Sequence, residues 1–210
     1  IGFYLVRAMD QWNNTMQTLA LVVVAVILAL IVAIPLGIWA AKSKRFSAII
    51  KPILDFMQTM PSLAYLVPVI VLFGIGQVPG AIATIIFALP PGVRFTELGI
   101  RGVDAETVEA GAAFGASPRH ILWRIQMPLA MPTVMAGVNQ VIMLALSMVV
   151  LSGMVGAGGL GGDVVAALSQ VDIGLGMEAG LAVVVVAVYL DRITSGLANR
   201  TPLARAQRAS

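Results

Sequence analysis

The chain has 210 residues, of which 59% are hydrophobic and 11% are charged, and its mean hydropathy is +0.96. Soluble domains contain about a quarter charged residues, so this chain has too little charge to cover the surface of a soluble enzyme of its length. Disorder is also excluded, because it requires low hydrophobicity together with high net charge, and the net charge here is only +3. The composition predicts an all-α integral membrane protein with short connections.

Several kinds of chemistry are excluded by residues that the sequence lacks. There is no cysteine and only one histidine, His120, which excludes disulfides, thiolate nucleophiles and multi-histidine metal sites. No lysine follows a glycine, so the chain has no Walker A loop with which to hydrolyse ATP by itself. The glycines from Gly156 to Gly161 match the spacing of a dinucleotide-binding motif. That motif requires a preceding strand, and here an apolar helix precedes it. We predict a turn there, and a chain without catalytic residues, metal ligands or its own cofactor.

The charged residues divide the chain into apolar stretches that can be compared with a membrane span of about 20 residues. The uncharged stretch 56–93 is too long for one helix, and glycines and a proline between 74 and 80 divide it. The last apolar stretch, between Glu178 and Asp191, is short. These two residues are therefore expected near the two membrane surfaces, where the free-energy cost of a charged side chain is smallest. The sequence predicts one transmembrane domain over 1–210, with five helices at about 15–41, 54–75, 79–99, 130–153 and 176–197.

The basic residues predict the orientation of these helices. All lysines and arginines except Arg7 fall near the carboxyl end of the first, third or fifth helix or in the segment that follows it. The connection between the fourth and fifth helices carries only acids: Asp163, Asp172 and Glu178. Because short cytoplasmic loops are enriched in basic residues, we expect the amino end of the chain outside and the carboxyl end in the cytoplasm.

Neutral polar residues are the only polar groups at the centres of the predicted helices. Ion-driven transporters usually carry ionisable residues at that depth, so their absence favours a path for an uncharged or zwitterionic solute. The alternative is that these side chains form hydrogen bonds between helices. The candidates for the path are Gln58, Tyr65, Thr84, Asn139, Gln140 and Ser147.

The connection at about 100–127 is too rich in helix signals to be a simple turn. Asp104 is placed to cap one short helix, which Gly115 ends. Ser117 is placed to cap a second short helix, which Pro128 is expected to end. Two short helices joined at a glycine have apolar faces suited both to the chain's own membrane helices and to a groove on a cytoplasmic partner. The alternative is an ordinary amphipathic loop at the membrane surface.

This connection resembles a known signature. Glu109-Ala110-Gly111 is followed at the family's spacing by Gly115 and then by Ile125-Gln126-Met127-Pro128. The pattern is similar to the Glu-Ala-Ala signature of permease subunits of binding-protein-dependent ABC importers. Gly111 stands where that signature has its second alanine, and Met127 stands where it has leucine. The resemblance implies a type I permease fold in which this segment is the coupling helix that docks on an ATPase. The coupling residues it implies are Glu109, Ala110, Gly111, Gly115, Ile125, Met127 and Pro128.

Four further segments resemble one branch of this family, the glycine betaine/proline (quaternary amine) permeases. They are residues 54–62, 78–91, 128–140 and 190–194. The resemblance implies an osmoprotective importer for glycine betaine, proline or a related amine such as choline or carnitine. It also implies a multi-pass protein of a bacterial-type plasma (inner) membrane.

The same resemblance implies a set of partners. These are an ATP-binding cassette ATPase that binds ATP and magnesium, an extracytoplasmic substrate-binding protein, a second permease copy in a homodimer, and membrane lipid; no nucleic acid is expected. The alternative function is a secondary carrier or channel subunit that needs no ATPase. That alternative accounts for the hydrophobicity and the orientation, but not for the spaced signature in a cytoplasmic connection.

Overall fold

A computed structural model describes residues 2–198 of the chain, and over this range the protein is helical with short connections. The α-helices are α1 (Gly2–Ala8), α2 (Trp12–Lys42), α3 (Lys44–Thr59), α4 (Leu63–Phe73), α5 (Gln77–Arg101), α6 (Ala105–Ala113), α7 (Pro118–Ile121), α8 (Met127–Ser152), α9 (Gly159–Gln170) and α10 (Ile173–Ala198). A π-helical turn, Leu122–Gln126, joins α7 to α8, and a 3-10 turn, Gly153–Val155, follows α8.

Within residues 2–198, four helical stretches are long and apolar enough to cross a membrane. They are α2, α5, α10 and the continuous stretch Pro118–Val155 that contains α8. The pair α3 and α4 makes a fifth span if its two bent halves are counted together. The prediction of an all-α membrane protein with about five transmembrane helices is therefore confirmed.

The predicted single helix at 54–75 is wrong, because the chain bends by 97° between α3 and α4. Pro61 is the cause: it has no N–H, and its ring forces the preceding residue out of the helical region. Met60 accordingly has extended dihedral angles, φ −70° and ψ 134°. The Tyr65 hydroxyl donates a hydrogen bond across the break to the Met57 carbonyl oxygen, which fixes the two halves relative to each other.

The predicted end of the second short helix at Pro128 is also wrong. The helix that begins at Pro118 continues through the π-helical turn into α8, and Pro128 lies in the first turn of α8. A π-helical turn admits an extra residue into a helix, and here it immediately precedes the proline, whose ring would otherwise crowd the carbonyl four residues earlier. The segment therefore leads directly into a membrane helix without an intervening loop.

α5 lies at the centre of the fold, packed against α2 on one side and α8 on the other. Glycines allow the backbones to approach at these crossings. A Cβ atom on Gly92 would lie 2.7 Å from the Ala33 Cβ, and one on Gly137 would overlap the Phe95 side chain. The close packing of α2, α5 and α8 fixes their positions relative to one another, and the candidate sites lie on or beside these helices.

The connection between α8 and α10 contains the helix α9, where the sequence predicts only a turn and loop. The turn itself is present, with Gly156 in the left-handed region at φ +76°. Two α2 side chains then accept hydrogen bonds from the first N–H groups of α9: Gln17 Oε1 from Gly159 (3.1 Å) and Thr18 Oγ1 from Leu160 (2.9 Å). They satisfy backbone donors that a helix start leaves free. The start of α9 is therefore fixed to α2.

Candidate coupling site and translocation surface

The connection between α5 and α8, residues 102–126, is a compact hairpin of short helices that we call the coupling segment. Its first helix, α6, begins where the Asp104 carboxylate accepts a hydrogen bond from the Glu106 N–H at 3.2 Å. It ends at Gly115, which has φ +80°. The Gly115 N–H donates to the Ala112 carbonyl (2.9 Å) and the Ala116 N–H donates to the Gly111 carbonyl (3.1 Å). This is a Schellman motif, which needs a residue in the left-handed region at the position of Gly115.

The second half of the coupling segment is rigidly joined to the membrane domain. The Ser117 hydroxyl accepts a hydrogen bond from the His120 N–H at 3.3 Å, and Pro118 occupies the first turn of α7. From Pro118 to Val155 the chain is one continuous helical stretch. A displacement of α7 is therefore transmitted to α8 without passing through a loop, and α6 is linked to α7 by the short turn at Gly115.

Two signature residues meet between the halves of the coupling segment. A Cβ atom on Gly111 would lie 2.5 Å from Ile125 Cδ1 and 3.7 Å from Ile121 Cγ1. The small residue of the signature thus leaves room for the isoleucine that follows it in sequence. Ile121 and Leu122 are buried beneath this contact, whereas α6 itself contains no buried residue. The contact explains why α6 stays close to α7 although it has no hydrophobic core of its own.

The other signature residues divide into exposed and packed positions. Glu109 and Ala110 are exposed on α6, and Pro128 is exposed at the start of α8. Glu109 borders a cavity of about 320 Å³, which Lys42 at the end of α2 and Gln126 also line. Phe114, which precedes the glycine, is 92% exposed. A carboxylate, a small residue and an aromatic ring are therefore exposed on this part of the surface.

Met127 points the other way, into a core formed by residues of α5, the π-helical turn and α8. It packs against the cluster of Ile100, Leu122, Ala130 and Val134. The substitution of methionine for the signature leucine keeps an apolar side chain of similar volume that is not branched at Cβ. The coupling segment is therefore joined to α5 as well as to α8.

The six predicted path residues are not brought together. Tyr65 and Thr84 are buried and bond to backbone, Tyr65 to Met57 and Thr84 to the Gly80 carbonyl at 2.7 Å. Asn139 is partly buried, and its Nδ2 donates to Asp191 Oδ1 at 3.2 Å. These three side chains therefore have structural partners within the described helices, as the interhelical alternative expects.

The other three path residues are exposed. Gln58 lies on α3, and Gln140 and Ser147 lie on one face of α8, two turns apart. Ser147 donates to the Met143 carbonyl at 3.0 Å, which leaves its oxygen facing outward. The exposed path candidates therefore lie on two separate surfaces, one on α3 and one on α8.

The structure contains a charged cluster between α3 and α5 that the sequence analysis does not predict. Glu97 is buried, accepts a hydrogen bond from the Ser47 hydroxyl at 2.6 Å, and lies 3.0 Å from Arg101 Nε and 3.4 Å from Lys51 Nζ. One turn away, Arg94 pairs with Asp55. The spacing of these residues in the sequence could have indicated the cluster. Three charged or hydroxyl residues recur at every fourth position on α3, and three charged residues share one side of α5. They are Ser47, Lys51 and Asp55, and Arg94, Glu97 and Arg101.

Comparison with known proteins identifies the family of this chain. The model of the family described as "Binding-protein-dependent transport system inner membrane component" matches residues 33–200. The chain is 53% identical over 194 residues to the glycine betaine/carnitine transport permease protein GbuB of Listeria monocytogenes serotype 1/2a (strain 10403S), covering 92% of this chain and 69% of that protein. It is 50% identical over 197 residues to the glycine betaine/proline betaine transport system permease protein ProW of Escherichia coli (strain K12), covering 94% of this chain and 56% of that protein.

The fold also matches a solved transporter. A chain of the MetNI methionine ABC transporter superposes with a TM-score of 0.81 at 18% identity, covering 89% of this chain and 93% of that one. The likeness shows the fold alone, and it confirms the predicted type I permease architecture.

The fold and the sequence matches define a multi-pass membrane permease of the ABC importer type. The chain belongs to the family of binding-protein-dependent transport system inner membrane components. The branch resemblance is confirmed as well, since the glycine betaine permeases named above are half identical to it. The chain spans 69% of the Listeria relative and 56% of the E. coli relative.

Proposed function

We propose that this chain is the membrane-spanning part of an ATP-driven importer for glycine betaine or a related quaternary amine. The two relatives described above carry glycine betaine in their names. In this proposal the chain forms the passage, while a separate ATPase subunit binds ATP and magnesium. A separate substrate-binding protein delivers the solute.

The observation that carries the proposal is the construction of the coupling segment. Its first helix exposes Glu109 and is followed by the exposed Phe114, and its second helix is continuous with α8. A docking helix needs both properties: side chains that a partner can contact, and a rigid connection that carries the partner's movement into the membrane. Closure of an ATPase dimer would thereby shift α8, whose exposed face bears Gln140 and Ser147.

The orientation we propose places the coupling segment in the cytoplasm. Lys42 and Arg101 end α2 and α5 beside that segment. Asp163 and Asp172 lie in the α8–α10 connection, at the opposite end of α8. Basic residues favour the cytoplasmic side, so α9 and the loop between α4 and α5 face outward, where a binding protein docks.

A second copy of the chain and lipid complete the assembly we propose. α4 leaves Val67, Val71 and Leu72 more than half exposed, and an apolar surface of this kind is covered by another helix or by lipid. A homodimer formed through the exposed faces of α4 and α8 would enclose the polar face of α8. Lipid would then cover the outward side of α10.

Reconstitution tests the proposal directly. The full-length permease, its ATPase and its binding protein are placed in lipid vesicles, and ATP-dependent uptake of labelled glycine betaine is measured. We expect uptake only when all three components are present. Uptake without the ATPase would support the alternative, a secondary carrier. Stimulation of the ATPase only by another loaded binding protein would keep the importer and change the solute.

A charge reversal tests the coupling role within the same assay. We expect Glu109→Lys to insert normally, because the side chain is exposed, and to reduce ATP-driven uptake by about tenfold through weaker docking of the ATPase, which corresponds to about 1.4 kcal/mol. Uptake at the level of the unmodified permease would show that Glu109 takes no part in coupling.

A further inference from the structure

A cavity of about 500 Å³ lies between α3 and α5, on the half of α5 that leads to the coupling segment. Its charged lining consists of the five charged residues of the cluster described above: Lys51, Asp55, Arg94, Glu97 and Arg101. Phe95 and Leu98 supply an apolar wall. The cavity thus combines both signs of charge with an aromatic ring, and none of the candidate path residues lies in it.

The ion pairs within this cavity leave some of the hydrogen-bond donors of its charged groups free. The Glu97 carboxylate is buried and shared among Ser47, Lys51 and Arg101. The Lys51 side chain is 54% exposed, so its ammonium keeps N–H donors free for another acceptor. The Arg94 guanidinium uses one of its terminal nitrogens for Asp55 and likewise keeps donors.

Asp55 supplies the opposite charge. Its side chain is 62% exposed, and its carboxylate has an oxygen beyond the one that Arg94 contacts. An exposed carboxylate repels an anion and attracts a cation at short range. The cavity therefore offers cationic donors and an anionic acceptor at the same time, which a purely anionic ligand does not match.

We infer that this cavity is a release-side subsite for a small zwitterion that carries a carboxylate and a quaternary ammonium. The ligand's carboxylate accepts hydrogen bonds from Arg94 and Lys51. Its quaternary ammonium, which has no N–H to donate, lies between Asp55 and the face of Phe95, where charge attraction and a cation–π contact act together. The inference rests on the proposed function and deepens it, because it gives the permease itself a contact with the solute.

The location of the cavity fits a solute that is leaving the chain. Gln58 is exposed one turn beyond Asp55 on α3. On the other side, Phe95 packs against Gly137 of α8, one turn before the exposed Gln140. The two exposed glutamines of the predicted path thus flank the cavity. A ligand of zero net charge also adds no unbalanced charge to this partly buried site.

Ligand contact is tested on the permease–ATPase complex without binding protein, in phosphatidylcholine nanodiscs. Saturation-transfer NMR on the N-methyl protons of glycine betaine reports the contact. The variants are Asp55→Asn, which keeps an oxygen for Arg94, and Phe95→Leu, which keeps an apolar wall. The control is Glu178→Gln, the same type of change at the far end of α10. We expect each cavity variant to weaken binding about tenfold, with the control unchanged.

Two results would overturn the inference. The first is an N-methyl signal that is the same in the cavity variants and the unmodified complex. The second is loss of the signal on addition of inorganic phosphate or of phosphatidylglycerol in the nanodisc, which would make the cavity a site for phosphate or for an anionic headgroup. Uptake into vesicles separates a failure of the subsite from a failure of the proposed function. If the unmodified protein transports glycine betaine but the N-methyl signal is the same in the cavity variants, only the subsite is refuted. Absence of transport refutes the function.

Discussion

The coupling segment and α9 are both short helices that connect membrane helices, yet they are held in opposite ways. α9 buries Leu160, Gly161 and Ala167, and its first N–H groups are bonded to α2. α6 buries nothing and is held by its own caps and by the contact of Gly111 with Ile125. The proposed docking role of α6 requires a free face, whereas the start of α9 is packed into the bundle. Changes in α9 should therefore lower stability, and changes in α6 should alter coupling.

The largest expected effect is on the packing of α9. A Cβ atom on Gly161 would overlap the Val150 carbonyl oxygen, which is backbone and has no room to move. We expect Gly161→Ala to lower the stability of the purified permease by about 3 kcal/mol or more, seen as a large fall in Tm in detergent.

The neighbouring glycine is the matched control for that change. A Cβ atom on Gly162 would meet no atom within 4 Å among the described residues. Gly162→Ala should therefore leave Tm nearly unchanged. Equal losses in the two variants would mean that α9 is sensitive to any side chain and not to this close contact.

A smaller effect is expected from the polar link between α2 and α9. Thr18→Val removes the acceptor of the Leu160 N–H in a buried setting, which should lower stability by about 1–2 kcal/mol. Thr15→Val is the same substitution one turn earlier, where the buried hydroxyl has no hydrogen-bond partner in the part of the chain that the structure describes. It should be neutral or slightly stabilising, since it removes a buried polar atom. A ranking of the two Tm values in the opposite order would contradict this view of the link.

In the coupling segment the expected loss is smaller still. Gly115 has φ +80°, and a Cβ atom placed on it would meet no atom within 4 Å among residues 2–198, so Gly115→Ala introduces backbone strain but no clash. The strain costs about 1 kcal/mol, which should loosen the end of α6 and lower ATPase stimulation by the loaded binding protein. Gly111→Ala is the comparison, because there the only overlap of the Cβ is with the flexible end of Ile125. ATPase stimulation equal in the two variants would show that the glycine turn has no part in coupling.

The sequence predicts features that depend on neighbouring residues. The caps at Asp104 and Ser117 and the turn at Gly115 form as expected, because each is decided within one helical turn. The break at Pro61 is harder to see, since the absence of charge from 56 to 93 conceals it. Pro128 resembles a helix end, because the sequence does not reveal the π-helical turn that accommodates it.

Features that join distant residues were not predictable from one sequence. Thr18 bonds to a residue 142 positions later, and Asn139 bonds to one 52 positions later. Asn139 was expected to be a path residue because a polar side chain in a membrane helix has the same pattern whether it faces a solute or another helix. The charged cluster of α3 and α5 is a similar case, because neither helix alone shows that Ser47 and Glu97 meet.

The smallest effect on stability is expected at Phe114, and it is the most direct test of the contrast between the two connections. The ring is 92% exposed, so Phe114→Ala should change the free energy of unfolding by less than about 0.5 kcal/mol. An aromatic residue that fits a pocket of a partner commonly contributes about 2 kcal/mol or more to binding. Affinity of the purified permease for its ATPase should then fall by more than about tenfold, with Tm unchanged. Leu168→Ala is the control, because Leu168 is 76% exposed on α9 and lies at the opposite end of α8. A loss of ATPase affinity in both variants, or in neither, would show that Phe114 is not a specific contact of the coupling segment with the ATPase.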